Sequence, residues 1–128
     1  MILVLLAIII LGCAEGPYRS KTRIPVLEDS TPVVLLNEDL VDDIAVDGVV
    51  GSYTADRRLH VEAKIRNRTD ESKSIQVQTV FKDDRGTEIG DASAWESLVL
   101  SANETRGYRA TAIRQEARRY TVRVRYQE

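Results

Sequence analysis

Residues 59–86, LHVEAKIRNRTDESKSIQVQTVFKDDRG, decide how this chain folds. Leu59, Val61, Ala63 and Ile65 alternate with His60, Glu62, Lys64 and Arg66, the period of two that sets apolar and polar side chains on opposite faces of a half-buried strand. Asn67-Arg68-Thr69-Asp70 then supplies a cluster of turn formers. Ile75, Val77, Thr79 and Phe81 resume the alternation against Gln76, Gln78 and Lys82, and Asp83-Asp84-Arg85-Gly86 closes it with a glycine free to take positive φ. The stretch therefore predicts two amphipathic strands, each ended by a turn.

The same grammar extends outward. Ile44 opens a further extended segment, and Thr87-Glu88-Ile89 forms the return of a hairpin. Trp95, Leu98 and Leu100 mark another strand, Ser101-Ala102-Asn103-Glu104 a loop, and Tyr108, Ala110 and Ala112 one face of the next. Tyr120, Val122, Val124 and Tyr126 point inward on the last strand, with Thr121, Arg123 and Arg125 outward. Residues 112–118 offer one or two helical turns at most and read as a connection. Pro32 precedes an apolar segment, VVLL, expected to be an edge strand or a docked arm. Six or seven short strands with frequent turn signals predict an all-β, immunoglobulin-like antiparallel sandwich over residues 33–128.

Composition agrees with one globular domain: 43% of residues are hydrophobic and 30% charged, and 128 residues leave no room for a second core. A net charge of -2 gives no reason to expect nucleic acid as a partner. Charge is nevertheless polarised. Eight acids and no Lys or Arg lie from Glu28 to Asp56, whereas seven arginines face two glutamates from Arg106 onward. Two readings follow: mutual neutralisation of the two segments, or a basic strand turned toward an anionic surface.

Ahead of the domain, Ile2 to Leu11 is an unbroken run of ten apolar residues that stops at Gly12-Cys13. A helix that spans a bilayer needs about 20 such residues, so the run is too short to cross, but it has the length of a secretory signal's apolar core. A cysteine within a short buried strand is the alternative. No Lys or Arg precedes the run, which puts the expected translation start upstream. Residues 14–32, with Gly16, Pro17, Pro25 and Pro32 among polar residues, read as a flexible tether.

Ile10-Leu11-Gly12-Cys13 resembles the lipobox of bacterial lipoproteins. The resemblance implies cleavage between Gly12 and Cys13, diacylglycerol on the Cys13 sulfur, a signal peptide over residues 1–12 and an acylated tether over 13–32. Two or three acyl chains at about 0.8 kcal/mol per methylene hold a protein durably on a bilayer. Cys13 is the only cysteine, so no disulfide is expected within the chain.

In order, LHVEAKIRNRT, the Phe81 strand with its Asp-Arg-Gly turn, WESLVL, the Asn-Glu loop and ATAIRQEARRYTVRVR resemble the YcfL-type bacterial lipoproteins, across about Ile44 to Arg125. The resemblance implies a periplasmic β-sandwich held by lipid at the outer membrane, and it brings no catalytic residues. Ala14 after the cysteine, where the inner-membrane retention signal of enteric bacteria has Asp, points the same way.

For chemistry the inventory is thin. His60, the only histidine, lies on a polar strand face, where it lacks the pocket that general acid–base work needs. One His with scattered carboxylates lacks zinc-site spacing, and Asp42, Asp43 and Asp47 lack the regular ligand loop of a calcium site, so no metal or other cofactor is expected. The sequons at Asn67 and Asn103 are expected in loops. Binding is the expected role, to an envelope protein or polymer, with Trp95, Arg123, Arg125 and Tyr126 as candidate contacts; for Trp95 the alternative is to fill the core between the sheets. A purely structural envelope role and an envelope hydrolase using His60 with a carboxylate stand behind it.

Overall fold

A computed structural model describes residues 32–127. Gly12 and Cys13, the signal peptide and the tether up to Thr31 lie outside the described residues. In chain order the elements are β1 (Val33–Leu35), α1 (Leu40–Asp43), β2 (Ile44–Tyr53), β3 (Leu59–Asn67), β4 (Lys73–Lys82), β5 (Glu88–Ala92), β6 (Glu96–Leu100), β7 (Thr105–Thr111) and β8 (Arg119–Tyr126).

They form an immunoglobulin-like sandwich of two sheets. One runs β1-β8-β4-β5, with β6 also on β4; the other runs β2-β3-β7. β5 and β6 share one edge of β4 end to end, β6 opposite Lys73–Val77 and β5 opposite Val80–Lys82. Every strand pair is antiparallel except β1 with β8, which pair in parallel from Val33↔Val122 to Leu35↔Val124. The described residues thus hold eight strands where six or seven were expected. The additional pair arises because VVLL docks beside the last strand, with Val122 N–H donating to Pro32 O and Leu36 N–H to Val124 O.

The alternation in residues 59–86 is realised as read. Leu59, Val61, Ala63 and Ile65 of β3 meet Ile75, Val77 and Phe81 of β4, with Val122 and Val124 of β8 beside them, all buried between the sheets. Each of the Val, Leu, Ile and Phe side chains among them contributes about 1.5–3 kcal/mol when fully buried. Thr79 is the polar member of this face; its hydroxyl bonds Tyr108 Oη at 2.9 Å, which satisfies both groups inside the core.

Two local devices keep the strands in register. Gly48, at φ +60°, sits in a bulge between Asp47 and Val50 that bends edge strand β2. At the β4–β5 turn, Gly86 takes φ +82°, and the Asp83 carboxylate accepts from the N–H groups of Arg85 and Thr87, both at 2.9 Å. Residues 112–118 form no helix; the Asp91 carboxylate accepts from the N–H groups of Ile113 and Arg114, both at 2.8 Å, and pins that connection.

Asn67 corrects the loop expectation for its sequon. It ends β3 with its side chain fully buried, and its amide donates to the carbonyls of Glu71 (2.7 Å), Ser101 (3.0 Å) and Leu100 (3.2 Å). Its Oδ1 accepts from Thr69 N–H and Thr69 Oγ1 at 3.0 and 2.7 Å. Asn103 does lie in a turn, exposed, at φ +59°.

Candidate functional site

Sheet register assembles the candidate site from three neighbouring strands. Arg125 of β8 lies opposite Gln76 of β4, which lies opposite Ser97 of β6, on the face turned away from the other sheet. Arg125 Nε donates to Gln76 Oε1 at 2.8 Å, and Gln76 Nε2 donates to Ser97 Oγ at 3.3 Å. This chain fixes the guanidinium over the ring of Trp95, 3.8 Å from its centroid. Trp95 precedes β6 and is half-buried, outside the inter-sheet core that was its alternative place. Exposed Ser97 and Val99 follow it on the same face of the strand, Val99 with 54% of its surface accessible. The result is an amphipathic patch whose aromatic ring and cation are held in place before any ligand arrives.

The other candidates divide. Arg123 shares the face of Arg125 and reaches Glu88 on β5 at 3.5 Å. Tyr126 is set apart: it lies opposite Ile75, packs against the core, and its hydroxyl donates to the Asp43 carboxylate. Burial first, and that carboxylate second, push the phenol's pKa far above its ordinary value. Tyr126 thereby ties the end of β8 to α1, a link that sequence spacing gave no means to see.

His60 contacts both kinds of group that a hydrolytic reading needs. Nδ1 lies 2.7 Å from Thr111 Oγ1 across the β3–β7 pair, and Nε2 lies 3.1 Å from Glu62 Oε1 two residues along. These side chains sit on the outer face of the β2-β3-β7 sheet, where Glu62 is exposed. Among the described residues no group of three or more His, Cys, Asp or Glu side chains could hold a metal ion. Asp47 faces Arg66 at 3.7 Å, and Asp43 faces Lys73 at 3.8 Å. A separate cleft of about 380 Å³ opens between β1 and β2, walled by Val33, Leu35, Val41 and Val46 with Arg66 and Arg68 beside it.

Fold and surface together define an immunoglobulin-like sandwich that presents an ordered aromatic and cationic patch on one sheet. The chain belongs to the DUF1425 family, described as a protein of unknown function, whose model matches residues 31–126. A DUF1425 family member from Shewanella sp. pv-4 shares its fold at a TM-score of 0.61 and 22% identity, over 68% of this chain and 81% of that one. Cj0090 of Campylobacter jejuni is similar at a TM-score of 0.56 and 16% identity, over 75% of this chain and 98% of that one. No curated protein matches the chain.

Proposed function

We propose that this protein is a YcfL-type lipoprotein: a non-catalytic accessory module, anchored through lipid on Cys13 and facing the periplasm at the outer membrane, that binds an envelope protein or polymer. The observation that carries the binding role is the Trp95 ring held half-exposed beneath the Arg125 guanidinium. Trp and Arg are the residue types that dominate binding hot spots, and here their ordering cost is met before association. The anchor rests on the apolar run, its length and the Gly12-Cys13 junction.

The test is photo-crosslinking in cells from position 99, with and without Trp95→Ala. A specific adduct is expected, weakened about 30-fold or more in affinity by the substitution, the effect of losing a hot spot worth about 2 kcal/mol. An adduct pattern indifferent to Trp95→Ala refutes the patch as the contact. Mass spectrometry of the same preparation reports the acylated Cys13 peptide, and an unmodified Cys13 refutes the anchor.

The contacts of His60 with Thr111 and Glu62 favour a second reading, an envelope hydrolase. Full complementation by His60→Ala eliminates it.

A further inference from the structure

A sheet edge exposes backbone groups that a further strand can pair with, and proteins blunt such edges with charge, proline, glycine, bulges or brevity. Among the described residues β1, β2, β5, β6 and β7 lie at edges, and four of them are blunted. β1 has three residues, β2 breaks its register around Gly48, β5 breaks its register at Phe81/Lys82 and holds Gly90 at φ +69°, and β7 carries Arg106, Gly107 and Arg109. β6 is the exception. Its residues 96–100, ESLVL, pair with β4 in unbroken register and include no Lys, Arg, Pro or Gly.

The ladder fixes which of its backbone groups turn outward. Along an antiparallel pair, residues that exchange hydrogen bonds alternate with residues that do not. Gln127 N–H donates to Ser74 O at 3.1 Å, so the backbone groups of Ser74, and by alternation those of Gln76, face β8. Ser93 N–H donates to Thr79 O at 2.9 Å, so those of Thr79, and with them Ile75 and Val77, face the opposite edge. Leu98 and Glu96, opposite Ile75 and Val77, therefore make the bonds to β4, and Ser97 and Val99 point their N–H and C=O groups away from it. No strand among the described residues lies on that side, and these four groups have no other hydrogen-bond partner there. Ser97 and Val99 are both exposed.

We propose that the partner bound at the Trp95–Arg125 patch is a polypeptide that adds an extended segment to the outward edge of β6 as a further strand. The inference rests on the patch being a binding site, and it narrows the partner from protein or polymer to protein. N–H and C=O groups repeating every second residue, about 6.8 Å apart, complement the backbone of an extended peptide, and a glycan has no matching array. Edge and patch share one surface: Trp95 directly precedes β6, and the Ser97 hydroxyl accepts from the Gln76 amide that holds Arg125. Register sets the side-chain preference as well. Residues of the added strand beside Val99 share its outer face and those beside Leu98 turn toward the core side, so an apolar residue at each position fits best. A second copy of this chain fits less well. Two β6 strands paired about Leu98 end at Glu96, short of Trp95, whereas a free segment continues past it.

The test is photo-crosslinking in cells from position 99 in three backgrounds. Ser97→Pro deletes an outward N–H at an edge position where proline is tolerated, and should reduce the adduct about tenfold or more. Ser97→Ala removes the hydroxyl but keeps the N–H, and should stay within about twofold of the parent. Trp95→Ala reports the patch itself. Loss of the adduct in Trp95→Ala with retention in Ser97→Pro overturns strand addition and leaves the patch standing, as does equal loss in Ser97→Pro and Ser97→Ala. No adduct, or one indifferent to Trp95→Ala, overturns the patch and strand addition together, and an adduct to glycan or to a second copy of this chain overturns the proposed partner. Hydrogen exchange of the unsubstituted protein supplies a measurement free of folding damage. The amides of Ser97 and Val99 should exchange about tenfold or more faster than that of Leu98, and a synthetic peptide spanning the crosslinked segment should slow both by about tenfold or more. Equal exchange at the three positions, or no slowing by the peptide, overturns the proposal.

Discussion

Replacing Asn67 tests whether a single buried amide holds three segments of the sandwich together. Its two N–H groups serve the carbonyls of Glu71, Leu100 and Ser101, and its oxygen accepts from Thr69. Truncation in Asn67→Ala removes the donated bonds and the bond from Thr69 N–H, while the Thr69 hydroxyl keeps its contact with Glu71 O. Counting the two N–H groups and the bond from Thr69 N–H as three bonds at about 1 kcal/mol each, with a further 1 kcal/mol or so for the buried Leu100 carbonyl, the expected loss is about 4 kcal/mol. In urea, at a slope of about 1–1.5 kcal/mol/M, the midpoint should fall by about 3–4 M with the slope unchanged. Asn67→Asp separates hydrogen bonding from volume. It keeps size and shape but aims a carboxylate oxygen at carbonyls 2.7–3.2 Å away, so at neutral pH it should cost at least as much as Asn67→Ala. Because the protonated acid can donate and the buried site raises the acid's folded pKa, its deficit relative to the parent should shrink by up to about 1.4 kcal/mol per pH unit as pH falls from 7 toward about 4. A deficit under about 1 kcal/mol for Asn67→Asp at pH 7 would refute this reasoning.

Three further outcomes are expected. Trp95 is the only tryptophan, so Arg125→Ala, by uncovering one face of its ring, should shift its emission to longer wavelength and raise its quenching by acrylamide, with a stability change of about 1 kcal/mol or less; unchanged quenching would contradict the stack. The Glu104 carboxylate is held below its ordinary pKa of 4.5 first by Ser101 N–H and then by Arg106, and Asp83 below 3.8 first by Thr87 N–H. Groups with lowered folded pKa stabilise above their unfolded value and lose that contribution as pH falls through the folded one. Urea midpoints should therefore hold from pH 7 to about 5 and fall below about 4.5, less steeply in Glu104→Gln; an identical acid limb in that variant would remove Glu104 from the account. Phe81→Ala should cost about 3–5 kcal/mol and Phe81→Leu under about 1.5 kcal/mol by thermal or chemical unfolding, since Phe81 is completely buried between the sheets.

The period of two made β3, β4, β7 and β8 legible, because strands that bury one face write it directly into alternate residues. β1 carried no such signal: VVLL is apolar on both faces, and its parallel partner lies about ninety residues away. The four residues of α1 are too few to show a helical period. Asn67 looked like a loop residue because Asn is a turn former; its buried role depends on carbonyls brought in by the distant end of β6. Trp95 and Arg125 could be singled out by residue type, but their stacking depends on the Arg125–Gln76–Ser97 register, and register is a property of the paired sheet. Burial of the outward-facing Thr121 and Lys82 was invisible for the same reason, since alternation alone assigns both to solvent.

The parallel β1–β8 pair has a mechanical consequence. Because the two strands run in the same direction, a pull on the chain before Pro32 and an opposing pull at the end of β8 slide one strand along the other. The bonds from Val122 to Pro32 and from Leu36 to Val124 then carry the load together, in shear, where a hairpin pulled at its open end would lose its bonds one at a time. Under the proposed lipid anchoring, a pull between the anchor and a partner held at the end of β8 would load this seam in shear.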